Sequence, residues 1–320
     1  MRLLRLVPCL AAVLLAPAGC SSCGATAPAP GRHPVSRQAE PAAQLRLPDR
    51  TATSLRFAVI GDYGFGSEGE AGVARLVASW NPDFIITTGD NNYPRGEADT
   101  IDDNIGQYFG AYIGNYRGRY GAGSPINRFW PSPGNHDWIA GLGPYLDYFT
   151  LPGNERYYDV DYGLVHLYAL DSDPHEPDGT TADSAQATWL AQQLAASTAC
   201  YDLVYFHHPP YSSARHGSIP TMRWPFEAWG AEAVLSGHDH SYERLAVGKI
   251  PYLVVGLGGA PEYEFNERLP ESVKQFNTRH GALLGQATRE GLTFTFYTVD
   301  GERIDELTLT RPCRWAPAQR

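Results

Sequence analysis

Five apolar segments of this chain each end in a loop whose side chains can bind a metal ion. A single aspartate or histidine near the end of a strand is most often a turn residue or a structural residue. In α/β proteins, however, the carboxyl ends of parallel strands meet at one edge of a sheet, where binding sites form. Five such segments therefore predict one shared site. They are "VIGDYG" with Asp62, "TTGDNNY" with Asp90 and Tyr93, "PGNHD" with Asn135, "VYFHH" with His207, and "SGHDH" with His238 and His240.

The order of the surrounding segments predicts an α/β fold. "LRFAVIG" is a buried strand, "EAGVARLVASW" a helix and "DFIITTGD" a second strand, which together form a βαβ unit with parallel strands. "LVHLYALDS", "DLVYFHH" and "AEAVLSGHDH" follow as strands, and "DSAQATWLAQQLAAS" as a helix. From "YLVVGLGG" onward, strand-like runs joined by turn residues favour antiparallel pairing. We expect one domain over residues 55–312, with two sheets face to face and helices outside; residues 104–130 receive no assignment.

The first 20 residues predict an export signal. Arg2 and Arg5 precede an apolar run that is too short to span a membrane, and small residues lead to Cys20. A cysteine after Ala18 and Gly19 resembles a bacterial lipoprotein signal, although Pro17 stands where an aliphatic residue is usual. We expect a lipoprotein anchored at the cell envelope through Cys20, with a periplasmic or secreted protein as the alternative. Residues 21–54 are Pro- and Ala-rich and predict a disordered tether, and residues 313–320 a C-terminal tail.

Charge and cysteine content narrow the choice of partner and compartment. The chain has 25 Lys and Arg against 35 Asp and Glu, a net charge of -10, which speaks against a nucleic-acid-binding surface. Removal of the signal would leave Cys20, Cys23, Cys200 and Cys313 in an oxidising compartment. Cys200 and Cys313 could pair there, but the sequence does not show whether they lie close enough.

A nucleotide site is one alternative interpretation of the first segment. Gly64, Gly66 and Gly69 spell G-x-G-x-x-G directly after a strand, and Asp90 lies near the position of the acidic residue that binds ribose in dinucleotide enzymes. That interpretation predicts an oxidoreductase. It leaves the other metal-binding residue types at the strand ends without an explanation.

Taken in order, the motifs G-D-x-G, G-D-x-x-Y, G-N-H-[DE], V-x-x-H and G-H-x-H resemble those of the purple acid phosphatases, within the calcineurin-like metallophosphoesterases. The resemblance spans the whole predicted domain and implies a four-layer α/β/β/α sandwich of two mixed sheets. It favours the small, tartrate-resistant type, because nothing before residue 55 could form the extra N-terminal β-domain of the large plant type. Many relatives in the wider superfamily have D-x-H on the first strand, but Gly64 stands at that histidine position here, and Tyr93 is placed to replace the missing ligand.

The resemblance also assigns the ligands of two metal ions. Asp62, Asp90, Tyr93 and His240 would hold one metal, typically ferric iron; Asp90 would bridge to a divalent iron, zinc or manganese ion, also held by Asn135, His207 and His238. Carboxylate and phenolate oxygens suit a trivalent ion, whereas an amide oxygen with two imidazoles suits a divalent one. Two such metals activate a hydroxide for attack on a phosphate ester.

Two further histidines fit an acid–base role toward a small phosphate monoester. His136 adjoins Asn135, and His216 follows His207 by nine residues in "HHPPYSSARHG". The alternative for His216 is a surface loop residue without a special role. His208 could line the cleft or support a ligand by a hydrogen bond, and Asp137, Tyr211, Trp224 and Phe226 could shape the rim or belong to the core.

Two other functions remain open for the same ligand pattern. A phosphodiesterase shares this fold, and the sequence does not separate it from a monoesterase. A non-catalytic surface protein could retain the ligands for metal binding alone. His136 and His216 argue for the enzyme, because metal storage does not require them.

Overall fold

The strands of this computed structural model form two mixed sheets, and the structure describes residues 46–311 and residue 313. The predicted export signal, most of the tether and most of the C-terminal tail lie outside the described residues. The strands are β1 Ser54–Ile60, β2 Phe84–Thr87, β3 Phe129–Pro131, β4 Tyr158–Asp161, β5 Val165–Ala169, β6 Tyr201–Tyr205, β7 Ala233–Ser236, β8 Tyr242–Val247, β9 Ile250–Val255, β10 Ser272–Phe276, β11 Gly281–Thr288, β12 Leu292–Thr298 and β13 Arg303–Leu309.

Helices are fewer than strands in the described part of the chain. They are α1 Glu68–Trp80, α2 Gln107–Phe109, α3 Asn135–Trp138, α4 Gly143–Tyr148, α5 Ala185–Ala196 and α6 Phe226–Trp229. Among the residues described, no helix combines the length and apolar character needed to cross a membrane.

Each sheet contains a parallel group of strands with antiparallel strands at its side. The first sheet has the order β13-β12-β11-β1-β2-β3, in which β1, β2 and β3 are parallel. The second has the order β10-β8-β9-β7-β6-β5-β4, in which β5, β6, β7 and β9 are parallel. The antiparallel pairing expected near the C-terminus is found, but β9 pairs in parallel with β7 on one side and antiparallel with β8 on the other.

The main core lies between the two sheets. Phe84 of β2 stacks on Tyr162, just after β4, with ring centres 4.2 Å apart, and Tyr242 of β8 stacks on Phe296 of β12 at the same distance. Alternate residues of β6 face opposite sides, because side chains of a strand point to each face in turn.

Leu203 and Tyr205 pack in the core between the sheets, whereas Val204 packs with Leu190 of α5 and Phe226 of α6 on the outer face. The predicted α/β fold of two mixed sheets, packed face to face with helices outside, is confirmed.

In the glycine-rich loop after β1, a carboxylate of the protein itself occupies two backbone amides. The Glu70 carboxylate accepts hydrogen bonds from the backbone N–H groups of Phe65 (3.0 Å) and Gly66 (2.8 Å). The Ser67 hydroxyl oxygen accepts the N–H of Glu70 at the start of α1 (3.1 Å). A dinucleotide pyrophosphate would require backbone N–H groups of this kind. The nucleotide interpretation is therefore wrong, and a Cβ on Gly64 would lie 1.7 Å from the Asn91 carbonyl oxygen, so this glycine is needed for close packing.

The unassigned segment 104–130 is organised around one carboxylate. A π-helical turn, Asp102–Gly106, leads into α2. The Asp102 carboxylate accepts hydrogen bonds from the hydroxyls of Tyr116 (2.6 Å) and Tyr148 (2.9 Å) and from the backbone N–H of Arg119 (2.9 Å). These partners are distant in sequence, so no local pattern reveals them.

Cys200 and Cys313 form a disulfide, with their Cα atoms 4.6 Å apart. Cys200 is buried directly before β6, and Cys313 follows the last strand, at a separation of 113 residues. The bond therefore ties the end of the domain to the second sheet.

We expect Cys313→Ser to lower the free energy of unfolding by about 2 to 5 kcal/mol, because a disulfide that closes a long loop restricts the unfolded chain. Urea unfolding of the oxidised wild type and the variant measures the loss. Reductant should lower the wild-type midpoint toward that of the variant and leave the variant unchanged. A fully reduced wild type that keeps its midpoint would contradict the prediction.

Candidate metal centre

Every predicted ligand follows the carboxyl end of a parallel strand, and the structure brings all seven together. In the first sheet, Asp62 follows β1, Asp90 and Tyr93 follow β2, and Asn135 follows β3. In the second sheet, ligands follow two strands: His207 follows β6, while His238 and His240 follow β7. The two parallel groups thus bring their ligands to one common site.

One half of the site is built around the hydroxyl of Tyr93. This oxygen lies 2.9 Å from Asp90 Oδ2, 3.4 Å from Asp62 Oδ1 and 3.1 Å from His240 Nε2. His240 Nε2 is in turn 3.5 Å from Asp62 Oδ1. Three oxygen donors and one nitrogen donor therefore converge on a single point.

The other half is built around His207. Its Nε2 atom lies 3.3 Å from Asp90 Oδ1, 3.0 Å from Asn135 Oδ1 and 3.1 Å from His238 Nδ1. Asp90 therefore presents Oδ2 to the first half and Oδ1 to the second. This is the geometry expected of a carboxylate that bridges two metal ions.

Backbone carbonyls fix the orientation of two imidazoles. His207 Nδ1 lies 2.9 Å from the Thr88 carbonyl oxygen, and His240 Nδ1 lies 2.6 Å from that of Pro261. Because a carbonyl can only accept, each Nδ1 carries a proton, and Nε2 is the ring nitrogen directed at the site.

Three of the predicted ligands occupy a backbone conformation that residues other than glycine rarely adopt. The φ angles are +56° for Asp62, +52° for Asp90 and +69° for His238. The carboxylate of Asp62 holds the His238 loop by accepting its backbone N–H (3.0 Å), and Asp90 Oδ1 accepts the N–H of His136 (2.9 Å). Strained backbone of this kind is concentrated at functional sites.

Burial makes the metal-free site electrostatically unfavourable. Burial, together with the nearby charge of Asp90, raises the pKa of Asp62 well above its usual range. Burial also opposes charge on His207, but the Asp90 carboxylate outweighs it and raises the pKa of His207 to about 10. Burial and the carboxylates of Asp90 and Asp62 raise the pKa of the Tyr93 phenol. A phenolate at this position therefore requires a bound cation.

The remaining imidazoles are suited to metal binding as they stand. Burial lowers the pKa of His240 to about 4, and burial with the neighbouring His207 lowers that of His238. Both are neutral near pH 7, which is the state that binds metals. The donor set fits two metal ions, because buried carboxylates need cationic partners and the donors divide into a harder and a softer group.

His136 and His216 lie beside different predicted ligands. The ring centre of His136 is 4.3 Å from that of Tyr93, and its Nε2 is 3.9 Å from Asp90 Oδ2. His216 stacks on His238 with ring centres 4.3 Å apart. Both side chains reach solvent, so each can approach a substrate above the ligands.

Several residues left open by the sequence have supporting or core positions. His208 is buried, with Nδ1 2.9 Å from the Ser172 hydroxyl oxygen. Asp137 is buried too, and accepts the N–H of Gly134 (2.8 Å) and the side-chain amide of Asn91 (2.9 Å). Trp224 and Phe226 are buried and belong to the core on the outer face of the second sheet. Tyr211 is half-buried and packs against the same core.

Two residues at the site, Asp239 and Tyr263, are not predicted from the sequence. Buried Asp239, between two ligands, accepts the backbone N–H groups of His216 (2.8 Å) and Gly217 (3.2 Å) and so fixes the His216 loop. Tyr263 stacks on His240 with ring centres 3.9 Å apart. The position of Asp239 within "SGHDH" was a usable signal, whereas nothing local to Tyr263 indicates its contact.

Comparison with known proteins agrees with this geometry. The calcineurin-like phosphoesterase model matches residues 55–242. The chain is 24% identical to human tartrate-resistant acid phosphatase type 5 over 313 residues, covering 84% of this chain and 94% of that protein. It is 25% identical to purple acid phosphatase 4 of Arabidopsis thaliana over 285 residues, covering 78% and 82% of the two chains.

Solved structures show the same fold at low sequence identity. Purple acid phosphatase PPD1 from yellow lupin seeds gives a TM-score of 0.65 at 17% identity, covering 83% of this chain and 55% of that chain. GAP50, the anchor in the inner membrane complex of Plasmodium, gives 0.64 at 16% identity, covering 81% and 89%. With the family model matched over more than half of its length, this chain belongs to the calcineurin-like phosphoesterase family.

Proposed function

We propose that this protein is a binuclear metal-dependent phosphatase that hydrolyses phosphate monoesters. The observation that carries the proposal is Asp90, whose two oxygens face two separate groups of donors. We assign ferric iron to the group of Asp62, Tyr93 and His240, and a divalent iron, zinc or manganese ion to the group of Asn135, His207 and His238. The purple and tartrate-resistant acid phosphatases among the relatives support this assignment.

Bound at this position, two metal ions supply Lewis acidity and an acidified water for in-line displacement at phosphorus. The protein ligands keep the site cationic, because two aspartates and one phenolate offset only part of the charge of a ferric and a divalent ion. Asn135 contributes a neutral oxygen and preserves this excess. The site therefore attracts a phosphate dianion despite the net charge of -10 of the whole chain.

The histidines at the cleft manage protons and orient the ester. His136 and His216 bind phosphate oxygens when protonated, and His216, stacked on His238, donates a proton to the departing alkoxide. Asp239 binds the backbone N–H of His216 and so helps to fix the position of the imidazole relative to the leaving group.

His216→Ala should slow hydrolysis of an alkyl phosphate by about a hundredfold or more, but slow that of nitrophenyl phosphate far less, because only the poor leaving group needs a proton. The measurement is kcat for both substrates at equal metal content. Equal slowing of both, with metals retained, would show that His216 binds phosphate instead. His175→Ala is a matched control, because this exposed histidine is bonded to Asp173 and contacts none of the ligands.

The proposal is tested by elemental analysis of the purified protein beside turnover of nitrophenyl phosphate and its bis-ester. We expect two equivalents of metal and preference for the monoester. Faster turnover of the diester would make the protein a phosphodiesterase. Full metal content with no turnover of either ester would support a non-catalytic metal-binding protein.

We also propose export, with attachment to the cell envelope through a lipidated Cys20. The signal-like first 20 residues support this, as does the disulfide between Cys200 and Cys313. Metabolic labelling with a radioactive fatty acid and fractionation test it. An exported, unlabelled protein in the soluble fraction would support the alternative of a periplasmic or secreted enzyme.

A further inference from the structure

An exposed guanidinium group, that of Arg215, lies near the metal centre and packs against an aromatic stack. The Tyr263 ring stacks on the ligand His240 with ring centres 3.9 Å apart and planes 12° from parallel. The Arg215 guanidinium carbon lies 4.9 Å from the centre of the same ring. Tyr263 also contacts His216 at 5.2 Å. Arg215 is thus two contacts away from a metal ligand and adjoins the proposed general acid.

The loop that carries Arg215 is fixed by buried groups on both sides. Asp239 binds the backbone N–H groups of His216 and Gly217, as described above. On the other side of Arg215, the buried Glu243 carboxylate accepts the backbone N–H (2.7 Å) and the hydroxyl (2.6 Å) of Ser213.

The facing loop adds further contacts. Ala214 pairs with Phe265 in an isolated β-bridge, and the Asn266 side chain donates to the Ala214 carbonyl oxygen (3.0 Å). The backbone at Arg215 is therefore placed before a substrate arrives, although the side chain is exposed.

The guanidinium charge has no carboxylate partner among the residues that the structure describes. Two acidic residues flank Tyr263, but both turn to other partners. Glu262 lies 3.6 Å from His280 Nε2, and Glu264 lies 3.4 Å from the Asn277 side-chain amide. A ring offers a guanidinium an electrostatic contact and leaves its N–H groups available for an anion.

We propose that Arg215 selects phosphate esters whose alcohol portion carries a second anionic group, a carboxylate or a second phosphate. The metal centre binds the phosphate to be cleaved, and the Arg215 guanidinium binds the second anion beside it. Because the stack with Tyr263 and His240 sets the position of the guanidinium, the preference depends on the distance between the two anions. This inference rests on the proposed phosphatase activity.

Glycerol 3-phosphate and 3-phosphoglycerate form the test pair, because both are esters of a primary alcohol and only the second has a carboxylate. Arg215→Gln should lower kcat/KM for phosphoglycerate by about tenfold, the loss of one charge-assisted contact at a solvent-accessible site, and leave glycerol phosphate within about twofold. Arg303→Gln removes the same charge from β13, far along the first sheet, and should change neither value. Added salt should weaken the wild-type preference.

Each other outcome overturns the proposal, and the outcomes are distinguishable. Equal loss for both substrates at equal metal content would place Arg215 on the reacting phosphate or in loop stability. No loss for either would remove it from recognition. A metal-loaded wild type that hydrolyses neither ester would overturn the phosphatase proposal itself, and this inference with it.

Discussion

Asp90→Asn is expected to deplete metal from both halves of the site and to abolish turnover. One Asp90 oxygen lies 2.9 Å from the Tyr93 hydroxyl and the other 3.3 Å from His207 Nε2, so a single substitution weakens both donor groups. The amide is neutral, and its nitrogen cannot bind a metal as the second oxygen does. The loss of activity should exceed the roughly 10- to 100-fold that follows removal of a partner outside the ligand set.

Elemental analysis after dialysis, beside kcat/KM for nitrophenyl phosphate, measures both effects. Asp147→Asn is the control, because this carboxylate is exposed on α4 and should leave metal content and activity unchanged. Two equivalents of metal with near-normal turnover in Asp90→Asn would remove Asp90 from the bridging role. Circular dichroism of both variants separates a metal defect from a failure to fold.

Tyr93→Phe is expected to remove the visible colour of the iron-loaded protein while the fold survives. The Tyr93 hydroxyl is within 3.4 Å of Asp62, Asp90 and His240, and a phenolate bound to ferric iron absorbs visible light by charge transfer. Burial and two carboxylates raise the pKa of this phenol, so only a bound cation makes the phenolate stable near neutral pH. The variant should also bind ferric iron less tightly, because it lacks one hard oxygen donor.

Tyr263→Phe provides a sharp comparison. Tyr263 stacks on the same His240, but its role is through the ring, so the phenylalanine variant should keep the band. Absorption spectra at matched iron content measure the effect. A band that persists in Tyr93→Phe, or that is absent from ferric wild type, would show that Tyr93 is not a ligand and that the centre is that of a colourless phosphoesterase.

Sequence predicted those parts of the site that depend on strand ends. Asp62, Asp90 and His207 could be found because each directly follows a buried strand, and parallel strands align their carboxyl ends. The type of fold followed from the same strands. Tyr93 lies farther along its loop, and its assignment as a ligand rests on the resemblance to a family. In the structure, the Tyr93 hydroxyl lies within hydrogen-bond distance of Asp90.

Other features could not be predicted because they depend on contacts between distant segments. The Asp102 cluster joins residues up to 46 positions apart, and Tyr263 reaches His240 across a loop. The Glu70 carboxylate binds the backbone N–H of Gly66, only four residues away, yet the same sequence motif also fits a phosphate-binding turn. Only the direction of the Glu70 side chain distinguishes the two, and that direction is set by packing.

The division of the proposed ligands between the two sheets would make catalysis depend on the integrity of the sandwich. The first sheet supplies the oxygen donors, Asp62, Asp90, Tyr93 and Asn135, and the second supplies the nitrogen donors, His207, His238 and His240. Each half of the site draws on both sheets, so neither layer can assemble a metal site alone. Metal binding would thus stabilise the packing of one sheet against the other. Sliding of one sheet past the other would disrupt both metal sites at once.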